Sequence, residues 1–298
     1  MNANNLPLPP AAMARIVQVA ADPACSIAQL AAIIRTDPVV SAQVLRSVNS
    51  SFYGLRNKVV AVERAVNFMG VRALRNLVLC LAVRQFSPRT GAVFSLEQFW
   101  ECSLRRAVAA KLLAKHVGLA REEEFFTMGL CQDLGVLVLV GVSDQLADSL
   151  SRASSLPAKE RLVVERTETD GHDEVGAQLF SHWEFPQDLI VPVRFHHDPD
   201  NAPPSYRLEA RILLGAELLA DLLGLDNKQP ILREAVKWLE ERLGLDGAVL
   251  NAIVDEVGAT VTKAASMLEI KVGHQPDYRE IAEAASHGLL ALNMSYEE

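Results

Sequence analysis

An all-α fold is what this sequence predicts, and three observations carry the prediction. Apolar residues recur three and four apart over most of the 298 residues, the spacing of one helix face. No stretch shows the period of two that a half-buried strand needs. Ser, Asp and Pro precede the periodic segments, and Gly or Pro follows them, as helix starts and stops require. The expected organisation is an N-terminal helical subdomain (residues 1–90), a central multi-helix core (94–225) and a C-terminal helical extension (226–298).

The elements follow in order. Ala11–Ala21 is an apolar segment that stops at Asp22-Pro23. Ser26 and Gln29 form a capping box for a helix at Ile27–Arg35. Asp37-Pro38 caps and opens Val39–Val48, with Val40, Val44, Leu45 and Val48 as its buried stripe. A turn at Asn49–Gly54 precedes a helix at Val62–Met69, which stops at Gly70 where a left-handed cap is favoured. Val71–Phe86 continues as a strongly apolar helix, and a linker at 87–93 separates it from the core.

Ser95 and Gln98 open a helix to about Val117, on which Trp100, Leu104, Ala107, Val108 and Lys111 lie near one face and Cys102 on a flank. A single helix over Glu122–Val140 follows, striped by Phe126, Gly129, Leu130, Asp133, Val136, Leu137 and Val140. A carboxylate on such a stripe costs several kcal/mol (order of magnitude) unless it is paired or metal-bound, so Asp133 needs a partner. Gly129 and Gly135 cost roughly 1 kcal/mol each in a helix interior, which fits a close backbone approach there. Asp144–Ala153 and Pro157–Thr169 are amphipathic. Tyr206–Leu223 carries Ala210, Leu213, Leu214, Glu217 and Leu218 at helical spacing. After a joint at Gly224–Gln229, Pro230–Leu243 is closed by Gly244, and Asp246 caps a run to about Leu268, followed by a helical tail.

The stretch Gly171–Pro199 holds four of the seven histidines. As a helix, residues 172–183 place His172, Val175, Gly176, Leu179 and Trp183 on one face and Glu174, Gln178 and His182 on the other. Phe185-Pro186 ends that helix and starts a second, in which Leu189, Val193 and His196 share a face with His197 beside it. The two helices thus converge imidazoles on one place, and Asp133 is a further inward polar group. Such a set suits a divalent metal that could activate water for phosphoester hydrolysis, or a closed hydrogen-bonded core in which Asp133 accepts from His172 or His196. The second reading is favoured. His116, His274 and His287 follow surface patterns.

Net charge is −8, unevenly spread. Residues 1–90 carry 10 Lys and Arg against 3 Asp and Glu, and the remainder 19 against 34, balances of +7 and −15. Mutual attraction of the two parts explains this better than nucleic acid, because the arginines are dispersed. A helix-turn-helix reading of 27–35 and 39–48 would offer Ser41, Arg46 and Asn49 to DNA, but no basic cluster is there to neutralise phosphates. Cys25, Cys80, Cys102 and Cys131 lack metal or redox spacing and sit in apolar helical patterns, as reduced core thiols would. No signal peptide is visible, and the most apolar window, Leu134–Val142, is too short to span a bilayer. A cytoplasmic protein without membrane association is expected.

The motifs resemble the HD superfamily of metal-dependent phosphohydrolases, and more closely its HDOD branch. The first part contributes Leu6-Pro7-Leu8-Pro9, Thr36-Asp37-Pro38, Val44 through Ser50, Tyr53-Gly54 and the helix end at Ala65–Gly70. The second contributes Trp100 through Ser103, Gly129-Leu130-Cys131-Gln132-Asp133-Leu134-Gly135, His172 through Gly176, Trp183, Phe185-Pro186 and His196-His197. Catalytic HD enzymes place histidine where this chain has Cys102, and His-Asp where it has Gln132-Asp133. The resemblance therefore implies an HD-like core with a degenerate polar site at Cys102, Gln132, Asp133, His172, His196 and His197, without catalysis or cofactor. It also implies a role in bacterial signal transduction through signalling proteins of a two-component or cyclic-dinucleotide pathway. The basic face Arg46, Arg56, Lys58, Arg64, Arg72 and Arg75 is the expected docking surface, for a partner or for another part of the chain. The competing reading is a phosphohydrolase acting on a nucleotide or cyclic dinucleotide, with Mn or Fe at Asp133, His172 and His196.

Overall fold

Local capping sets the first helices as the sequence requires. In the computed structural model, α1 (Ile27–Arg35) starts at Ser26, whose hydroxyl accepts from the Gln29 amide at 3.2 Å while the Gln29 side chain accepts from the Ser26 amide at 2.8 Å. Asp37 caps α2 (Pro38–Val48) by accepting from Val39 and Val40. Helix α3 (Val62–Gln85) is two helical halves joined at Gly70, where φ 78 and ψ 165 fall in a region essentially open to glycine alone. The expected stop is real, but its geometry is extended rather than a left-handed helical cap.

The structure describes residues 14–16, 18–19, 22, 24–86, 94–142, 171–224, 228–277 and 279–283. The Leu6–Pro9 motif, most of 11–21, the linker 87–93, the segments 144–153 and 157–169, the joint at 225–227 and the tail with His287 lie outside the described residues.

Helices α4 (Leu96–His116) and α5 (Glu122–Cys131) pack against each other at the centre, and α9 (Arg207–Gly224) and α11 (Gly247–Leu268) also pack on α4. Gly129 makes the α4–α5 approach possible, since a Cβ there would lie 2.7 Å from the Arg106 carbonyl oxygen. The expected single helix over 122–140 is interrupted at Gln132-Asp133, and α6 (Leu134–Val142) follows. The expected stripe is also replaced, because every residue from Phe125 to Val140 is buried. The stretch Glu122–Gly141 is long and apolar enough to cross a membrane, but 89% of its most apolar window is buried inside this fold. A helix enclosed on all sides needs apolar residues all round.

Helix α7 (His172–His182) packs on α6, and α8 (Gln187–Arg194) on α7 and α9. Gly135 is indispensable to the first of these contacts, because a Cβ on it would overlap the His172 carbonyl oxygen. Glu184 adopts a positive φ of 57 at the corner between α7 and α8. Beyond α9, α10 (Lys228–Trp238) runs into a π-helical turn at Leu239–Leu243 closed by Gly244 at φ 68. Asp246 caps α11 by accepting from Val249. The C-terminal helix is tied to the N-terminal part, where the buried Ser47 hydroxyl donates to the Met267 carbonyl at 2.9 Å. Among the described residues there is no strand.

Candidate functional site

The sequence break at Gln132-Asp133 puts a carboxylate between α5 and α6 with its side chain only 3% exposed. Its principal partner is Arg106 of α4, equally buried, whose Nη1 lies 2.9 Å from Asp133 Oδ2. The Ser103 hydroxyl accepts from Arg106 Nη2 at 3.2 Å. Burial alone would raise the Asp133 carboxyl, but Arg106 and the imidazoles nearby outweigh it and hold the group well below the usual carboxylate range. Asp133 in turn outweighs the burial of Arg106 and holds that guanidinium above its ordinary value.

The other oxygen, Oδ1, faces His172 Nε2 at 3.5 Å and His196 Nε2 at 3.6 Å. Both distances exceed a hydrogen bond. Both expected imidazoles thus stand within ion-pair reach of Asp133, and Arg106 is the partner the sequence did not supply. Arginine holds the carboxylate, and the rings stand beside it. His172 opens α7 with its backbone against Gly135, and its burial is as the helical pattern required. His196 and His197 lie in the turn after α8, not on the helix itself, which ends at Arg194. His196 donates from Nδ1 to the Val193 carbonyl across 2.6 Å. Burial, then the neighbouring His197, pushes the His196 imidazole below its ordinary value, so the neutral ring is favoured.

His197 is less enclosed, with Nε2 3.2 Å from His172 Nε2 and Nδ1 3.6 Å from Glu217 Oε2 on α9. Burial, then the charge of Asp133, pushes the Glu217 carboxyl up to about 8. The three imidazoles place one ring nitrogen each within 4.8 Å of one another. Gln132 is fully buried with neither side-chain polar atom hydrogen-bonded, and Cys102 is half-buried one helical turn before Arg106. An amide at Gln132 and a thiol at Cys102 are poor donors for a hard, water-bearing divalent ion. What remains is three nitrogens and one carboxylate oxygen.

Arg106 and Glu217 went unrecognised as site residues in the sequence. The signal was available for both, since each is a charge embedded in an apolar helical segment, as Asp133 is. The remaining expectations divide. Trp183 is buried, and His116 and His274 are exposed. Cys80 and Cys131 are buried, but Cys25 lies in the turn before α1 and both it and Cys102 are only partly covered, so four core thiols become two. Of the basic face, Arg72 and Arg75 reach Glu124 at 3.4 and 3.8 Å and Arg46 pairs with Glu269, so these meet other parts of the same chain. Arg56, Lys58 and Arg64 are exposed. The residues offered to DNA are occupied, with the Ser41 hydroxyl on the Ile34 carbonyl and Asn49 bonded to Leu45 and Val59.

Comparison with known proteins bears on this geometry. The family model described as "HDOD domain" matches residues 6–199. An uncharacterised protein of Treponema pallidum (strain Nichols) is 26% identical over 206 residues, 68% of this chain, and the chain spans about 40% of the length of that curated relative. A crystal structure of a candidate phosphohydrolase from Shewanella amazonensis SB2B is 25% identical with a TM-score of 0.70, covering 89% of this chain and 96% of that one. A candidate signal transduction protein from Marinobacter aquaeolei VT8 has 23% identity and a TM-score of 0.65, over 89% of this chain and 60% of that one. An HDOD domain protein of unknown function from Geobacter sulfurreducens has 22% identity and a TM-score of 0.66, over 88% and 92%.

Proposed function

This chain belongs to the HDOD domain family, and on that premise we propose that it is a non-catalytic signalling module that acts through protein contacts. The observation that carries the reading is the Arg106–Asp133 ion pair. A metal-dependent phosphohydrolase needs its aspartate for an ion that carries a reactive water in an accessible position. Here a fixed guanidinium takes one oxygen of that aspartate, and Arg106, Asp133, His172 and His196 are all nearly excluded from solvent. Such a pocket is scaffolding, since it ties α4, α5, α7 and the turn after α8 together.

The exposed Arg56, Lys58 and Arg64 form the docking face for an acidic protein surface in this reading. Arg72 and Arg75 join the same N-terminal part to Glu124 on α5, the helix that runs into Asp133. The similarity to a candidate signal transduction protein is in keeping with that role, though at 23% identity it speaks for the fold alone.

A phosphohydrolase is the second reading, favoured by the three clustered imidazoles and by the candidate phosphohydrolase of the same fold. Assaying the purified chain with added Mn²⁺ or Fe²⁺ against bis-p-nitrophenyl phosphate and cyclic dinucleotides decides between them. No turnover above the metal-only background is expected. Turnover that Asp133→Ala abolishes would overturn the signalling reading.

A further inference from the structure

Arg84 is a cation that the fold half buries without an opposite charge among the described residues. It stands in the last turn of α3, its guanidinium carbon 5.1 Å from the ring centre of the buried Trp100 on α4. Its Nε is closed off from solvent with no hydrogen-bond partner, and burial lowers the group below its ordinary value with no acidic neighbour to oppose that. The carbonyl end of α3 favours a cation there only weakly. Residues 87–93, which follow, contain no Asp or Glu. The same side chain lines a cavity of about 340 Å³ where α2, α3 and the end of α11 meet. Leu81, Met267 and Leu268 give this cavity apolar walls, and Arg46 brings a second guanidinium. Arg46 meets Glu269, but both side chains are more than half exposed, so the pair is weak and opens readily. The Met267 carbonyl is already taken by Ser47, and the Ala265 carbonyl by the Glu269 and Ile270 amides.

We propose that this cavity binds a small organic anion, with its phosphate or carboxylate on Arg84 and Arg46 and its apolar body against Leu81, Met267 and Leu268. Two guanidiniums and one carboxylate leave one positive charge uncompensated. A monoanion neutralises it in place, and a dianion does so by displacing Glu269 from Arg46. Packing against Trp100 restrains the Arg84 guanidinium, whose planar fork can take two oxygens of one anion. Apolar walls with a few placed polar groups are the usual lining of a small-molecule site, and this volume is at the small end of that range. A half-buried charge left unpaired lowers stability, and a chain tolerates that where binding offsets it. The ligand would sit between the N-terminal helices and the C-terminal one, so that binding fastens the two parts together. None of the lining residues belongs to the polar cluster, so the site stands or falls apart from the signalling and phosphohydrolase readings alike.

The test titrates the full chain with phenyl phosphate, benzoate and inorganic phosphate, followed by calorimetry and thermal melting. Phenyl phosphate or benzoate should bind at one equivalent with a Kd below about 1 mM and raise the melting temperature. The tighter of the two identifies the anionic group. Inorganic phosphate, which has no apolar body, should bind at least tenfold more weakly. Arg84→Met should keep the helical content, melt no lower than the unaltered chain without ligand, and lose at least tenfold in affinity for the tighter probe. Arg279→Met, exposed in the C-terminal segment, should bind as the unaltered chain does. A lower melting temperature for Arg84→Met without ligand makes Arg84 a structural residue and overturns the site. Saturable binding of neither organic probe, equal binding of inorganic phosphate, or binding indifferent to Arg84→Met overturns it as well.

Discussion

Replacing Arg106 with methionine removes the charge that Asp133 depends on while keeping most of the volume. At 2.9 Å, two unit charges in an effective dielectric of about 20 attract by roughly 6 kcal/mol, and that attraction is lost. The carboxylate has an escape, because it can take a proton. Protonating at pH 7 a group whose unfolded pKa is about 3.9 costs on the order of 4 kcal/mol, which sets the ceiling on the penalty. A loss of about 3–4 kcal/mol at pH 7 is therefore expected, in line with the 3–5 kcal/mol typical of a broken buried pair (order of magnitude).

The pH dependence gives that figure its test. In the unaltered chain the folded carboxyl lies well below its unfolded value, so its contribution is present above about pH 4 and is lost as pH falls through the folded pKa. In Arg106→Met the folded carboxyl lies above its unfolded value. Its stability then declines as pH rises past about 4, by up to about 1.4 kcal/mol per unit. The gap between the two proteins should widen from pH 4.5 to 7.5 in urea unfolding with chelator present. Combining Arg106→Met with Asp133→Asn should flatten it. A gap under about 1 kcal/mol, or one independent of pH, refutes the assignment of Arg106 as the counter-ion.

Three further outcomes follow from contacts elsewhere. Gly135→Ala should lower stability in urea by about 3 kcal/mol or more, because its Cβ would overlap the His172 carbonyl, a fixed backbone atom; a loss under about 1 kcal/mol would contradict that contact. Cys25 and Cys102 should react with a thiol reagent at pH 8 while Cys80, pushed up to about 12 by burial, and Cys131, which burial holds well above its ordinary value, stay unmodified until the chain unfolds. Ser47→Ala strips the Met267 carbonyl of its donor and should cost about 1–3 kcal/mol, with faster amide exchange at the end of α11 as the signature.

The helix boundaries were legible where a side chain closes the backbone. Ser26, Asp37, Ser95 and Asp246 all cap as their sequence positions imply. The break at Gln132-Asp133 was not legible, since a helix buried on every side has no polar face to give a periodicity, and neither Gln nor Asp marks a stop as Pro would. His172 was placed correctly because α7 has a solvent face to contrast with its buried one. His196 and His197 were brought to the right place on the wrong element, because a helix of eight residues ends within the error of any boundary drawn from spacing.

Arg106 shows why the chemistry of the pocket was harder to read than its location. A buried carboxylate announces a need for positive charge, but the sequence does not say whether a metal or a guanidinium meets it. Arg106 lies 27 positions from Asp133 on another helix, beside Arg105, which serves Glu101 at 2.7 Å instead. Neighbours on a helix point roughly 100° apart, so α4 turns one toward Asp133 and the other toward the C-terminal segment at Gln275, while Gly129 lets α5 approach the Arg106 backbone closely. The same glycine that costs helix stability therefore permits the close approach in which the aspartate meets its cation, and a Cβ on it would press on the Arg106 backbone.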